Sequence, residues 1–180
     1  MTIQTTPPVL PVIPVGRFVM RPLRRSDAGL VQLYASDRRL AEMTPAIPHP
    51  YPPGAAEAFV ARAMAGDDHR AVWALDGSSD GQSEVLGVVS LVRLDRDQAE
   101  VGYWIAPALW NAGYASEAVN AIVEANPLRS KALFAAVFQD NPGSARVLTN
   151  AGFEYVGDAE AYCVARGAAV PTWTYIRKLD

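Results

Sequence analysis

Trp104-Ile105-Ala106-Pro107-Ala108-Leu109-Trp110-Asn111-Ala112-Gly113-Tyr114-Ala115-Ser116-Glu117-Ala118 runs from an aromatic strand end through a short loop into a glycine-marked helix start. Just upstream, Gln98–Ala106 sets Val101, Tyr103 and Ile105 on one face at a period of two, the pattern of a half-buried strand, and Pro107 ends it. After Gly113, the apolar residues Ala115, Ala118, Val119, Ile122 and Val123 recur at helical spacing, which predicts a helix to about Ala125 before Asn126-Pro127 stops it. A helix start leaves backbone N–H groups without intrahelical partners and concentrates positive potential, so it suits a phosphate. Gly113 lets a ligand approach the backbone closely.

Outward from this stretch, the chain reads as one alternating set of strands and helices. Residues 1–16 carry Pro7, Pro8, Pro11 and Pro14 among apolar residues and read as an extended arm that packs on the domain or on a partner. Arg17–Leu23 alternates as a first strand, and Ser26 and Asp27 offer a cap for a helix through Leu30, Leu33 and Tyr34 to about Leu40. Thr44–Gly54, rich in proline, is a shaped loop, and Glu57–Met64 resumes helical spacing. Ala71–Leu75 and Val85–Leu94 read as antiparallel strands around the turn-rich Asp76–Gly81. Beyond the central helix come a strand at Leu133–Phe138 and a helix at Asn141–Asn150, capped by Asn141 and closed by Gly152. Two more strands follow, Phe153–Val164 and Thr172–Leu179.

At 180 residues, 50% hydrophobic and 19% charged, the chain is long enough for one well-filled core. A net charge of −3 gives no general attraction to nucleic acid or to a membrane surface. No run is long enough to span a bilayer. The single Cys163 makes no internal disulfide, and no basic region precedes a long apolar run at the N-terminus, so a cytoplasmic location is the expectation. His49 and His69 lie in different loops with no partnering cysteine pattern, so no metal site is expected.

The ordered set Glu100-Val101-Gly102-Tyr103-Trp104-Ile105, Gly113-Tyr114-Ala115-Ser116-Glu117-Ala118, Asn141-Pro142-Gly143-Ser144-Ala145-Arg146-Val147-Leu148 and Gly152-Phe153 resembles the GNAT acetyltransferases. Within them it is most similar to the branch of ribosomal-protein N-terminal acetyltransferases, which Arg17–Leu23 and Pro48-His49-Pro50-Tyr51 also fit. The resemblance implies an α/β (α+β) fold, with the arm at 1–16 followed by one GNAT-like domain at 17–180. Its sheet is expected to be mixed, mostly antiparallel and twisted, with about seven strands flanked by about four helices.

The same resemblance implies acetyl-CoA as donor, its pantetheine pairing as an added strand against Trp104, Ile105 and Ala106. Its pyrophosphate would rest on amides of Asn111, Ala112, Gly113, Tyr114, Ala115 and Ser116, with Asn141 and Ser144 near the thiol. Ser144 is the family-like hydroxyl for protonating or stabilising the thiolate; capping a helix start is its alternative role. Glu100 is a candidate base through water, or a solvent-facing strand residue. His49, Tyr51, Tyr103, Tyr162 and Trp173 are candidates for the acceptor site, and covering the core or closing the sheet fits them equally.

Two departures from the family pattern matter. The positions that often carry a glutamine or arginine and a basic residue around the glycine motif hold Trp110 and Ala112, so the phosphates would be held mainly by amides, with Arg146 or Lys131 as candidate compensating charges. The tyrosine and glutamate that often serve as acid and base fall on Leu148 and Ala136. A free α-amine, with a reference pKa of about 8, loses its proton more readily than lysine at about 10.4, and so needs only a weak base. The expected activity is acetyl transfer to a primary amine, at a protein N-terminus or on a small molecule, by direct attack in a ternary complex. An acyl-CoA-binding or regulatory module without turnover is the alternative. The proline arm and the apolar C-terminal hairpin leave a homodimer open.

Overall fold

A computed structural model describes residues 9–180; the first half of the proline arm lies outside them. Thirteen elements follow in chain order: β1 (Ile13–Pro14), β2 (Val19–Pro22), α1 (Ala28–Ala35), α2 (Arg38–Ala41), α3 (Ala55–Ala65), β3 (Arg70–Asp76), β4 (Gly87–Leu94), β5 (Gln98–Ile105), α4 (Tyr114–Ala125), β6 (Ala132–Phe138), α5 (Pro142–Asn150), β7 (Glu154–Cys163) and β8 (Ala168–Lys178). The strands form one eight-stranded sheet ordered β1-β2-β3-β4-β5-β6-β8-β7. Every neighbouring pair is antiparallel except β5 and β6, which are joined by α4 as a crossover.

The parallel pair decides the shape of the site. β5 and β6 are in register only from Gln98 to Glu100 against Ala132 to Phe134. Beyond that point each strand continues with its other neighbour, β5 against β4 to Ile105 and β6 against β8 to Phe138. The sheet is therefore split, and the far half of β5 presents a free edge to the gap.

Strand alternation sends side chains to two cores, one on each face of the sheet. On one face, Phe18, Met20, Trp73, Leu75, Val89 and Leu91 meet Ala118, Val119 and Ile122 of α4 and Leu148 of α5. On the other, Val72, Ala74 and Val88 meet Val31 of α1 and Ala56 and Val60 of α3. Burying a large aliphatic side chain contributes about 1.5–3 kcal/mol, and the first layer, which also takes in Leu133 and Val137 of β6 and Tyr175 of β8, joins the halves of the split sheet.

The strand and helix counts differ from the expected seven and four for identifiable reasons. The additional strand, β1, lies in the arm, where Pro11 O accepts a hydrogen bond from the buried Trp73 indole at 2.9 Å and Ile13 and Val15 pack on the core. The first helix breaks in two because Asp37 adopts an extended conformation and caps α2, its Oδ1 accepting from Arg39 N at 2.9 Å. Asp27, expected to cap α1, makes no cap bond there. Its buried carboxylate accepts instead from Arg21 Nη1 at 2.9 Å and Nη2 at 2.8 Å, while Arg21 Nε binds Asp76 Oδ2 at 2.7 Å. One arginine thus ties the start of α1 to the end of β3.

Candidate active site

The split between β5 and β6 opens into a cavity of about 800 Å³. Its floor is the free edge of β5. Ala106 N donates to Leu86 O at 2.9 Å, which fixes the phase of the antiparallel β4–β5 ladder. By the alternation of that ladder, Trp104 turns its backbone groups to β4, while Tyr103 and Ile105 turn theirs to the gap. Ile105 O indeed accepts a bond from outside the ladder, the Trp110 indole N–H at 2.8 Å, and its second lone pair stays open. Ala106 is fully engaged, its carbonyl accepting from Leu109 N at 2.8 Å, and it lies outside the cavity wall. Of the expected pairing residues, then, Ile105 offers its backbone, whereas Trp104, on the cavity wall, turns its backbone to β4 and packs its ring on the α1–α3 core. Tyr103 adds the second outward backbone.

At the inner end of the loop after β5, Asn111 (φ 62) and Gly113 (φ 88) both adopt the left-handed region. Glu117 N, donating to Gly113 O at 3.0 Å, is the first amide of α4 with a helical partner. The helix therefore leaves the N–H groups of Tyr114, Ala115 and Ser116 unpaired, and these residues line the cavity together with Asn111 and Gly113. Ala112 does not: its carbonyl turns away to Arg17 Nη2 at 2.8 Å.

Across the gap, α5 begins at Asn141, whose Oδ1 accepts from Ser144 N at 3.4 Å as the cap expected there. Ser144 Oγ lies 2.5 Å from the Tyr103 hydroxyl, so β5 and α5 meet through a pair of hydroxyls inside the cavity. Burial pushes the Tyr103 phenol up to about 12, and its hydrogen bond with Ser144 only partly offsets this. By sequence Tyr103 is one of several acceptor candidates; its link to Ser144 spans 41 residues of sequence and has no local signal.

Glu100 lines the cavity at the fork, in the last pair that joins β5 to β6. Arg146 also lines it, whereas Lys131 lies on the surface, 3.7 Å from Asp97. Ala136 is on the wall and Leu148 is buried in the core. The opposite wall comes from Arg39 to Pro45, not from the later part of that loop. Tyr51 packs on the α1–α3 core, and His49 buries an Nδ1 that has no hydrogen-bond partner among the described residues. Tyr162 is exposed on β7, Trp173 packs against the main core, and none of these four lines the cavity.

Arg166 and Cys163, in the last hairpin, hold that wall from behind. Arg166 Nε donates to Glu42 O at 2.8 Å, and its Nη1 reaches Asp140 Oδ2 at 2.6 Å. The bond to Arg166 holds the Asp140 carboxyl below the usual carboxylate range and raises the guanidinium in return. Cys163 Sγ lies 3.3 Å from Thr44 O, and Val164 N donates to Pro45 O at 3.0 Å. These contacts rigidify the far end of the cleft.

No helix among the described residues is long and apolar enough to cross a membrane, and no group of three or more His, Cys, Asp or Glu side chains among them is arranged to hold a metal ion. The family profile described as an acetyltransferase (GNAT) domain matches residues 17–154. The uncharacterized N-acetyltransferase YoaA of Bacillus subtilis (strain 168) is 32% identical over 96 residues, a match that spans 51% of this chain and only 54% of the relative. In fold the chain is similar to a ribosomal-protein-S5-alanine acetyltransferase from Vibrio fischeri, at 21% identity and a TM-score of 0.76 over 94% of this chain and 97% of that one. It is also similar to a spermidine N-acetyltransferase from Vibrio cholerae in complex with CoA and spermine, at 17% identity and a TM-score of 0.75 over 90% and 95% of the two chains. With a split sheet, a crossover helix that starts in free amides, and the family profile over most of its length, the chain belongs to the GNAT acetyltransferases.

Proposed function

We propose that this protein is a cytoplasmic enzyme that transfers the acetyl group of acetyl-CoA to a primary amine, at a protein N-terminus or on a small molecule, by direct attack in a ternary complex. The observation that carries the reading is convergence. The unpaired amides at the start of α4, the outward edge of β5 and the Tyr103–Ser144 hydroxyl pair all line one cavity. Amides at a helix start suit the pyrophosphate, and the edge of β5 suits the amide-bearing pantetheine. Bound acetyl-CoA supplies a thioester carbonyl at which a C–N bond forms with an uncharged amine as the C–S bond breaks.

The chain's own residues then have three tasks. Ser144 donates its hydroxyl hydrogen toward the departing sulfur. Tyr103, which keeps its proton well above neutral pH, donates to Ser144 Oγ and so leaves the serine hydrogen free to point into the cavity. Glu100, at the fork, takes the amine proton through water; an α-amine needs no stronger base.

The second reading, a CoA-binding module without turnover, is favoured by the same cavity, because Ala136 supplies no carboxylate to it and Leu148 supplies no phenol. Measuring thiol release from acetyl-CoA across a panel of peptides with free N-termini, amino acids and polyamines decides between them. Release with one class of amine, lost in Ser144→Ala, supports the enzyme. CoA binding with no release from any amine supports the module.

A further inference from the structure

A phosphate at the start of α4 faces an obstacle. The loop has no basic residue at position 112, and Glu117 places a carboxylate in the first turn of the helix. The structure brings a cation to that carboxylate from far away in sequence. Arg17, between β1 and β2, lies with Nε 3.1 Å from Glu117 Oε2 and Nη2 3.0 Å from Glu117 Oε1. The same Nη2 donates to Ala112 O at 2.8 Å, and Cζ lies 4.0 Å from the centroid of the Tyr114 ring. A Cβ on Gly113 would come within 3.4 Å of it. One guanidinium therefore contacts residues on both sides of the left-handed Gly113, and Arg17 is not itself part of the cavity wall. Arg17 and Glu117 both lie outside the cavity wall, while Tyr114, Ala115 and Ser116, whose amides have no helical partner, line it.

We propose that Arg17 is a positioning residue for the CoA phosphates: it holds the 112–117 segment with its amides turned to the cavity and cancels the charge of Glu117, in place of the basic side chain missing at position 112. The inference rests on the CoA reading above. Arg17 and Glu117 are both partly exposed, so their pair adds little to global stability. Its effect falls on the anion, because an uncompensated carboxylate within a helix turn of a phosphate opposes binding and is screened by salt.

The test is calorimetric titration of CoA into the full chain, as wild type, Arg17→Ala, Glu117→Gln and Arg17→Ala with Glu117→Gln, at ionic strengths of about 0.05 M and about 0.5 M. Arg17→Ala is expected to weaken CoA about tenfold at low salt and less at high salt. Adding Glu117→Gln is expected to recover the salt-sensitive part of that loss, the part owed to the hold on Ala112 O remaining, and thermal melts of all four are expected to stay close together. Unchanged affinity in Arg17→Ala, or a double variant as weak as Arg17→Ala, would overturn the inference. A wild-type chain that binds no CoA would instead overturn the functional reading beneath it.

Discussion

Removing the Tyr103 hydroxyl and removing the Ser144 hydroxyl should have unequal effects, and their combination should cost less than their sum. The two oxygens are 2.5 Å apart. Tyr103→Phe leaves Ser144 Oγ without the phenol, but Ser144 is only half-buried and its hydroxyl can turn to water, so the cost to folding is about 0.5–1.5 kcal/mol. Ser144→Ala strands a phenol that the cleft desolvates, which costs about 1–3 kcal/mol. The low end applies, because Ser144 O remains 3.4 Å from the same hydroxyl as a weak substitute acceptor. The double variant has no stranded group. Urea unfolding of the four proteins should therefore show a coupling of about 1 kcal/mol. In the thiol-release assay each single variant should lower kcat by about tenfold to a hundredfold, with KM for acetyl-CoA little changed, since the pair acts on the leaving sulfur and not on the phosphates. Additivity within about 0.3 kcal/mol, or an unchanged kcat in Ser144→Ala, would refute the hydroxyl pair as both a structural and a chemical unit.

Asp27→Ala should destabilise the fold by about 1.5–3 kcal/mol in urea, because it removes the buried carboxylate that binds two Arg21 nitrogens and leaves the half-buried guanidinium with Asp76 alone; a loss under about 1 kcal/mol would mean that the pair is replaceable by water. Burial alone would raise the Asp76 carboxyl, but hydrogen bonds from Arg21 and Ser78 outweigh it and hold the group below its ordinary value. Its contribution is thus fully present above the unfolded value of about 3.9 and is lost as pH falls through the lower folded value. Asp76→Asn should flatten the fall of stability in that acid window, read by circular dichroism, and an unaltered slope would assign the acid loss elsewhere. Leu148→Tyr, which supplies the phenol that the family resemblance leads one to expect at this position, should cost about 1–3 kcal/mol by overpacking and should not raise kcat, because position 148 lies in the core; a gain in kcat would show that the position reaches the cleft.

The alternation of Val101, Tyr103 and Ile105 and the helical spacing after Gly113 were legible in sequence because each is a local periodicity with a glycine or proline at its boundary. The Asn141 cap was legible for the same reason. The break between α1 and α2 was not, because Leu30 to Leu40 keeps helical spacing while one capping aspartate, Asp37, changes the backbone direction. Neither was the eighth strand, since two residues of a proline-rich arm show no period. At the site, the backbone cradle followed from the motif, whereas its long-range side chains did not. Arg17 reaches Glu117 across 100 residues, and Tyr103 reaches Ser144 across 41. Lys131 is a reasonable compensating charge by sequence, but it lies just before β6, on the surface beside Asp97. By sequence their loop makes His49 and Tyr51 acceptor candidates, whereas Thr44 and Pro45 are the residues of that loop that line the cavity, and Tyr51 packs on the α1–α3 core.

The account's central claim is that CoA phosphate rests on the amides that begin α4, and calorimetric titration of CoA into wild type, Gly113→Ala and Gly113→Glu tests it most directly. Gly113 has φ 88, so any side chain there strains the backbone by about 1–2 kcal/mol, a cost that both variants share. The prediction is one CoA per wild-type chain and weaker binding in both variants, because a side chain at 113, directed at Arg17, displaces the loop that presents the amides. A wild-type chain without measurable binding, or wild-type affinity in both Gly113 variants, would contradict it.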